Sequence, residues 1–427
     1  MNIKTFLITF LLGLFFTHYT LQAKTLSYIE VHKMPKSVEK DYYIWRFLSQ
    51  PRTSAKEARS IIKESSHLNK KLRTAYKKKT GLTSPSIITS YDVTPEHIWK
   101  NRSKANKYFK QGLALLRKNK AKLAASYFDV ARKHYKKRHE IDKTLFWLYL
   151  STNNKIYLKY LQKSYSPNIY TLLAADTING KYPLTITEKF SRKSLPNFNT
   201  KNPLIWAKIK HIMKQSSNRQ IDSLADHYAS QDSIGIYTYL KAKASEHTKS
   251  YFPLPYRKVM RGMSGQRQAL IYAIARQESR FVPASVSRSF ALGMMQFMPF
   301  LVKDIAKKKG YRMDLDEMFD PYRAIEFADY HLDYLNRYLY NPLFVAYAYN
   351  AGIGFTKRYL RNPNHFRNGP YEPYMSIETM QNVEAREYGK KVLSNYVIYL
   401  NKLGVTTRIT PFITDLTTPS QTDRFRK

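Results

Sequence analysis

Residues 273–299 read AIARQESRFVPASVSRSFALGMMQFMP, and the rest of the chain is understood from this stretch outward. Upstream, Ser264 suits a helix N-cap, and Leu270, Ala273, Ile274 and Gln277 recur at helical spacing, which predicts a helix over 265–280. Pro283 cannot continue that helix, and it pushes Val282 toward extended geometry. Glu278 therefore falls in the last turn, where the negative end of the helix dipole disfavours a carboxylate. If Phe281, Met294, Met295, Phe297 and Met298 fold over it, desolvation acts in the same direction. Both effects favour a carboxyl group that keeps its proton near neutral pH, as a general acid must. The plainer alternative pairs Glu278 with Arg276 or Arg280 on a solvated surface. The following residues tell against it. Small and polar Ala284, Ser285, Ser287 and Ser289 lead to Gly293 and then to an apolar run closed by Pro299. Pro299 suits the first position of a new helix and Gly310 suits its end. A helix-terminal Glu, a glycine-bearing loop and a second helix start together form a wall for a cleft.

Three motifs follow one another in order: Glu278-Ser279, then Gly293-Met294-Met295-Gln296-Phe297-Met298-Pro299, then Ala348-Tyr349-Asn350-Ala351-Gly352. Their order and gaps resemble the catalytic domain of soluble lytic transglycosylases. Met294 stands where that family usually has Leu, and Phe297 where it has Ile or Val; both substitutions keep an apolar side chain. The segment from Glu384 to Tyr388 is similar to the family's late Glu-x-Arg-x-Tyr stretch. The resemblance is specific over about residues 251–403 and covers 160–250 more loosely. Before that, the chain matches only in helical character and basicity.

The resemblance implies an all-α chain with an N-terminal superhelical solenoid and a lysozyme-like catalytic domain. It places the superhelix at 24–160, a helical linker domain at 161–250 and the catalytic domain at 251–405. It implies that Glu278 is the catalytic residue and that Tyr388 hydrogen-bonds its carboxyl group. Ser287, Gln296, Met298, Tyr349 and Asn350 match substrate-side positions. Asn350 also has a structural reading, bonding backbone around the Gly352 turn, and Glu384 matches a structural partner. The implied reaction cleaves the β-1,4 bond between N-acetylmuramic acid and N-acetylglucosamine in peptidoglycan and closes a 1,6-anhydro ring, with Glu278 as acid and then base. Most glycosidases use two carboxylates; the pattern here supplies one. A hydrolytic muramidase on the same fold and a wall-binding scaffold without catalysis are the alternatives.

Composition sets the surroundings. Residues 1–23 read as a secretory signal, with Lys4, an apolar run from Phe6 to Phe16 and a small-residue end at Ala23. No later segment reaches membrane-spanning length, and the chain has no Cys, which excludes both disulfides and a lipid-modified N-terminal Cys. An exported, periplasmic protein is expected. The formal net charge is +41, of which the leader contributes only Lys4. Export and the absence of any nucleic-acid motif argue against nucleic acid as the partner. Anionic glycan strands with their peptide stems fit better, and wall-synthesis proteins would be the neighbouring partners. The 11 His residues are scattered without an HExxH pattern, so neither a metal nor a cofactor is expected.

The flanks read as helical. Ala124, Phe128, Ala131 and Tyr135 form one apolar stripe, and residues 106–117 supply a partner helix that turns at Asn119. Downstream of Glu278, Asp320-Pro321 caps a helix with a buried stripe of Ile325, Ala328, Leu332, Leu335 and Leu339. Asn341-Pro342 opens another helix ending at Gly352, and a last helix runs over 384–402. Residues 406–427, rich in Thr and Pro, read as a flexible tail.

Overall fold

In the computed structural model, residues 25–85 and 96–426 are described; the expected signal sequence lies outside them. Among the described residues the chain is helical, with isolated β-bridges and no named strand. No described helix is long and apolar enough to cross a membrane.

Four short helices come first: α1 (Tyr28–His32), α2 (Val38–Leu48), α3 (Ala55–Ile61) and α4 (Lys70–Thr80). Ser27, Ser37, Ser54 and Asn69 cap them, each side chain accepting from a free backbone N–H of the first turn. This group docks on the region that follows Glu278. Arg46 forms 2.6 Å ion pairs with Asp314 and Asp316, and the Tyr42 hydroxyl donates to Asp316 at 2.7 Å. Asn69 and Lys71 donate to the carbonyls of Arg288 and Ser289 at 2.7 and 2.8 Å.

The solenoid proper is α5 (Glu96–Arg117), α6 (Ala121–His134), α7 (Arg138–Thr152), α8 (Ile156–Gln162) and α9 (Ile169–Thr177), each packed on the next. The predicted partner helix over 106–117 is the C-terminal half of the longer α5. Asn119 takes a left-handed φ of 56° in the turn after it, which Asn tolerates better than most residues. The predicted stripe of Ala124, Phe128, Ala131 and Tyr135 is buried. Phe128 packs between Phe109 and Trp147 as tilted ring pairs, with centroids 5.3 and 5.8 Å away.

Three further helices, α10 (Pro203–Gln215), α11 (Asn218–Asp226) and α12 (Ile234–Ala244), enclose a second, smaller core. Val282 and Ala284, from the loop just after Glu278, complete that core. The approach is close: a Cβ on Gly235 of α12 would lie 2.2 Å from the Phe281 carbonyl oxygen.

The Glu278 region itself comprises α13 (Gly265–Glu278), α14 (Pro299–Lys308), α15 (Pro321–Asn336), α16 (Pro342–Ala351), α17 (Ile353–Arg361), α18 (Tyr374–Thr379) and α19 (Val383–Lys402). Proline occupies the first turn of α14, α15 and α16, where its missing N–H costs no helical hydrogen bond. Long α19 packs along both α13 and α16. The whole predicted stripe of α15, with Leu339 beyond it, is buried.

The C-terminus departs from expectation. It is not a flexible tail: α20 (Thr410–Thr414) and α21 (Pro419–Thr422) dock on the core. Ile409, Ile413 and Leu416 are fully buried. Arg426 and Asp423 form a 2.7 Å ion pair that is almost completely buried, and Arg426 also donates to the Phe366 carbonyl at 3.1 Å. Apolar residues three and four apart made this docking possible despite the Thr/Pro composition.

Candidate functional site

Helix α13 begins where expected, with Ser264 accepting from the Arg267 N–H at 3.2 Å. It stops at Glu278, two residues short of the predicted end at Arg280. Arg280 and Phe281 both take left-handed φ, 55° and 66°. Tertiary packing explains the early stop. The buried Phe281 ring turns back onto Tyr272 and Tyr399, 6.0 and 6.3 Å away, and Val282 enters the second core. Burying a large apolar side chain is worth about 1.5–3 kcal/mol, comparable to the cost of left-handed backbone.

Glu278 is half-buried. The Tyr388 hydroxyl, from the second turn of α19, donates to its Oε1 at 2.7 Å. Burial pushes the carboxyl up from an ordinary 4.5 to about 7. The Tyr388 hydrogen bond opposes that shift and the charge of Glu384 adds to it. Neither flanking arginine neutralises Glu278. Arg276 donates to the Tyr251 carbonyl and to Asn395 at 2.8 and 2.7 Å, and lies over the Phe252 ring at 3.7 Å. Arg280 lies over the Tyr239 ring. The surface-pairing alternative is therefore not what the chain adopts. The acid is poised to exchange its proton near neutral pH, as a group acting first as acid and then as base must.

The loop after Glu278 is held from within. Ser279 Oγ donates to the Met294 carbonyl at 2.7 Å, which joins the first motif to the second. Gly293 has φ 74°, and a Cβ there would sit 1.9 Å from the Met318 carbonyl oxygen, so only glycine fits. Met294, Met295 and Phe297 are buried in the main core. Gln296, also left-handed at φ 52°, donates its side-chain amide to the carbonyls of Gly293 and Ser285 at 2.8 and 3.1 Å. Ser287 Oγ accepts from the Ala291 N–H at 2.9 Å. Met298 is half-buried at the N-cap of α14. The Tyr349 hydroxyl donates to the Met295 carbonyl at 3.0 Å, and the charge of Glu278 helps to raise its pKa, so it stands beside the acid. Asn350 donates to Glu384 at 3.4 Å instead of to backbone at the Gly352 turn. Glu278, Tyr349 and Tyr388 are thus brought together, and Gln296 and Ser287 shape the adjoining loop.

Ser279, read in the sequence only as part of the first motif, and Arg276, read only as a surface partner for Glu278, act instead as clamps. One further neighbour was not singled out from the sequence. His331 of α15 lies 5.6 Å from Tyr349 and 6.1 Å from Phe297, ring to ring, and burial lowers its pKa to about 4. It is therefore neutral where the acid works. Among the described residues no group of His, Asp and Glu is arranged to hold a metal ion.

Residues 257–370 match the family model described as Transglycosylase SLT domain. The soluble lytic murein transglycosylase of Escherichia coli K12 is 28% identical over 206 residues, covering 47% of this chain and 31% of that protein. Membrane-bound lytic murein transglycosylase C of Pectobacterium atrosepticum is 34% identical over 148 residues, covering 30% of this chain and 42% of that protein. The chain thus spans less than half the length of these relatives. Among solved structures, an inactive mutant of the lytic transglycosylase Slt from Pseudomonas aeruginosa aligns with a TM-score of 0.50 at 19% identity. The alignment covers 87% of this chain and 62% of that one, and it shows the shared helical fold.

Proposed function

We propose that this chain, which carries a transglycosylase SLT domain, is a lytic transglycosylase of peptidoglycan, exported to the periplasm, with Glu278 as its single acid and base. The observation that carries the reading is the Glu278 carboxyl, pushed up to about 7 by burial and oriented by the Tyr388 hydroxyl at 2.7 Å. In the reaction, protonated Glu278 gives its proton to the glycosidic oxygen, and the bond from that oxygen to the muramic C1 breaks. The substrate's own N-acetyl oxygen supports the developing positive charge at C1. Glu278, now a carboxylate, takes the proton of the C6 hydroxyl, and O6 bonds to C1 as the N-acetyl oxygen withdraws. The proton returns to Glu278 and no water is consumed. Tyr388 fixes the carboxyl. Ser287, Gln296, Met298, Tyr349 and Asn350 form the substrate wall, with the Gln296 side-chain oxygen, which accepts no hydrogen bond from another described residue, available to accept from a sugar.

Glu384 favours a second reading. Its charge reaches Glu278, so it could serve as the second carboxylate of a hydrolytic muramidase. Digestion of purified sacculi followed by mass spectrometry separates the two. Anhydro products, one water lighter and without a reducible end, support the lyase; ordinary reducing ends support hydrolysis. Glu278→Gln should abolish both product types, and wall digestion that survives it unchanged would overturn the assignment.

A further inference from the structure

Between the solenoid and α18–α19 lies a chamber that the proposed chemistry does not use. It consists of a cavity of about 530 Å³ bounded by α5, α7, α18 and α19, and an adjoining one of about 320 Å³ that reaches the end of α13. His139, Tyr170, Glu387, Lys390 and Lys391 line both. Eleven Lys and Arg side chains face the chamber against three acids. The acids are already neutralised. Arg102 holds Glu140 at 2.8 Å, Lys390 holds Glu378 and Glu387 at 3.1 and 3.0 Å, and Arg386 holds Glu387 at 3.0 Å. Lys110, Arg117, Lys137, Lys143 and Lys391 are left in the larger cavity with no ion pair to a described carboxylate.

Lys143 is the informative member. Its side chain is more than nine-tenths buried. Its ammonium lies 4.0 Å from the Phe109 ring centre and 4.9 Å from that of Tyr135, and its one hydrogen bond, to the Tyr135 hydroxyl, is long at 3.3 Å. An ammonium has three donors. Here one hydrogen bond and two aromatic faces are the protein's whole provision for that charge among the described residues, and burial lowers its pKa to about 8. A ligand oxyanion in the cavity would supply the counter-charge and balance the surplus. Cavities of this size suit small ligands, not polymers.

We propose that this chamber binds a small ligand carrying two or more oxyanion groups, with Lys143 at its floor and Lys110, Arg117 and Lys391 at its walls. The carboxylates of an acidic peptide and a free phosphate share this chemistry. The proposal is independent of the catalytic reading. The test is calorimetric titration of the full chain with a triglutamate peptide and with pyrophosphate, at about 0.15 M salt to screen loose surface attraction. The expected result is saturable one-site binding of at least one probe, and the tighter probe identifies the source. Lys143→Met, which retains the volume, should weaken binding about tenfold or more. Lys110→Ala with Lys391→Ala, two solvent-exposed side chains whose variant is checked for an unchanged melting temperature, should weaken it several-fold. Lys77→Ala with Lys78→Ala on α4 should leave it unchanged. Absence of saturable binding for both probes overturns the proposal. So does equal weakening by the α4 changes, or insensitivity to the Lys110 and Lys391 pair.

Discussion

Replacing Glu278 by Gln should make the protein more stable, and only where Glu278 would be ionised. The folded carboxyl titrates at about 7 and its ordinary value is 4.5. At 1.36 kcal/mol per pKa unit, the ionised group disfavours the folded state by on the order of 3 kcal/mol. The direction follows from proton binding. Between the two pKa values the folded chain holds a proton that the unfolded chain has released, so this contribution falls as pH rises toward the folded value and then levels off. Gln has nearly the same shape, carries no charge and still accepts from Tyr388. Denaturant unfolding of both proteins, followed by tryptophan fluorescence at about pH 5 and about pH 8.5, measures the difference. Other titrating groups cancel because both proteins share them. The expected outcome is a gain of less than about 1 kcal/mol for Glu278→Gln at the lower pH and one larger by about 2–3 kcal/mol at the higher. An equal gain at both pH values, or none at either, would refute the argument that burial keeps this acid protonated.

Tyr388→Phe removes the one contact that favours the Glu278 carboxylate, so the pKa should rise by about one unit. The alkaline limb of the pH–activity profile should move up accordingly while the maximum falls; a limb that stays in place would show that Tyr388 does not act through Glu278. Gly293→Ala forces a Cβ to 1.9 Å from the Met318 carbonyl at a left-handed φ and should cost about 3 kcal/mol or more. A melting temperature equal to that of the parent would contradict this. Asp423→Ala strands the buried Arg426 charge and should cost about 3–5 kcal/mol, with protease releasing residues beyond Leu403 early. A neutral result would mean that the C-terminal helices are not held by this pair.

What could be read from the sequence is what short-range chemistry decides. Ser264, Asp320-Pro321 and Asn341-Pro342 start helices because a capping oxygen and a fixed proline φ act within one turn. The α15 stripe was legible because burial repeats with the helical period. The site's core, Glu278 beside Tyr349 and Tyr388, followed from motif resemblance and not from periodicity. The early end of α13 was not legible, because Phe281 answers to Tyr272 and to Tyr399, more than a hundred positions away. The C-terminal docking was masked by composition: Ile409, Ile413 and Leu416 carried the signal at helical spacing, but scattered among Thr and Pro they resembled a loose tail. The bracing of Arg288 and Ser289 by Asn69 and Lys71 spans more than 200 positions, and no local pattern encodes it.

These long-range contacts bear on the chemistry because desolvation belongs to an enclosure and not to one residue. The loop that walls Glu278 is pinned by three separate packing units. Ser279 and Gly293 tie it to the main core, Val282 and Ala284 insert into the α10–α12 core, and α4 holds the carbonyls of Arg288 and Ser289. Loss of any one would expose the carboxyl further and bring its pKa back toward the ordinary value, since burial is the largest cause of the shift. The flanking helices, by closing the loop over the acid, thus help to set the pH at which it can give and take a proton.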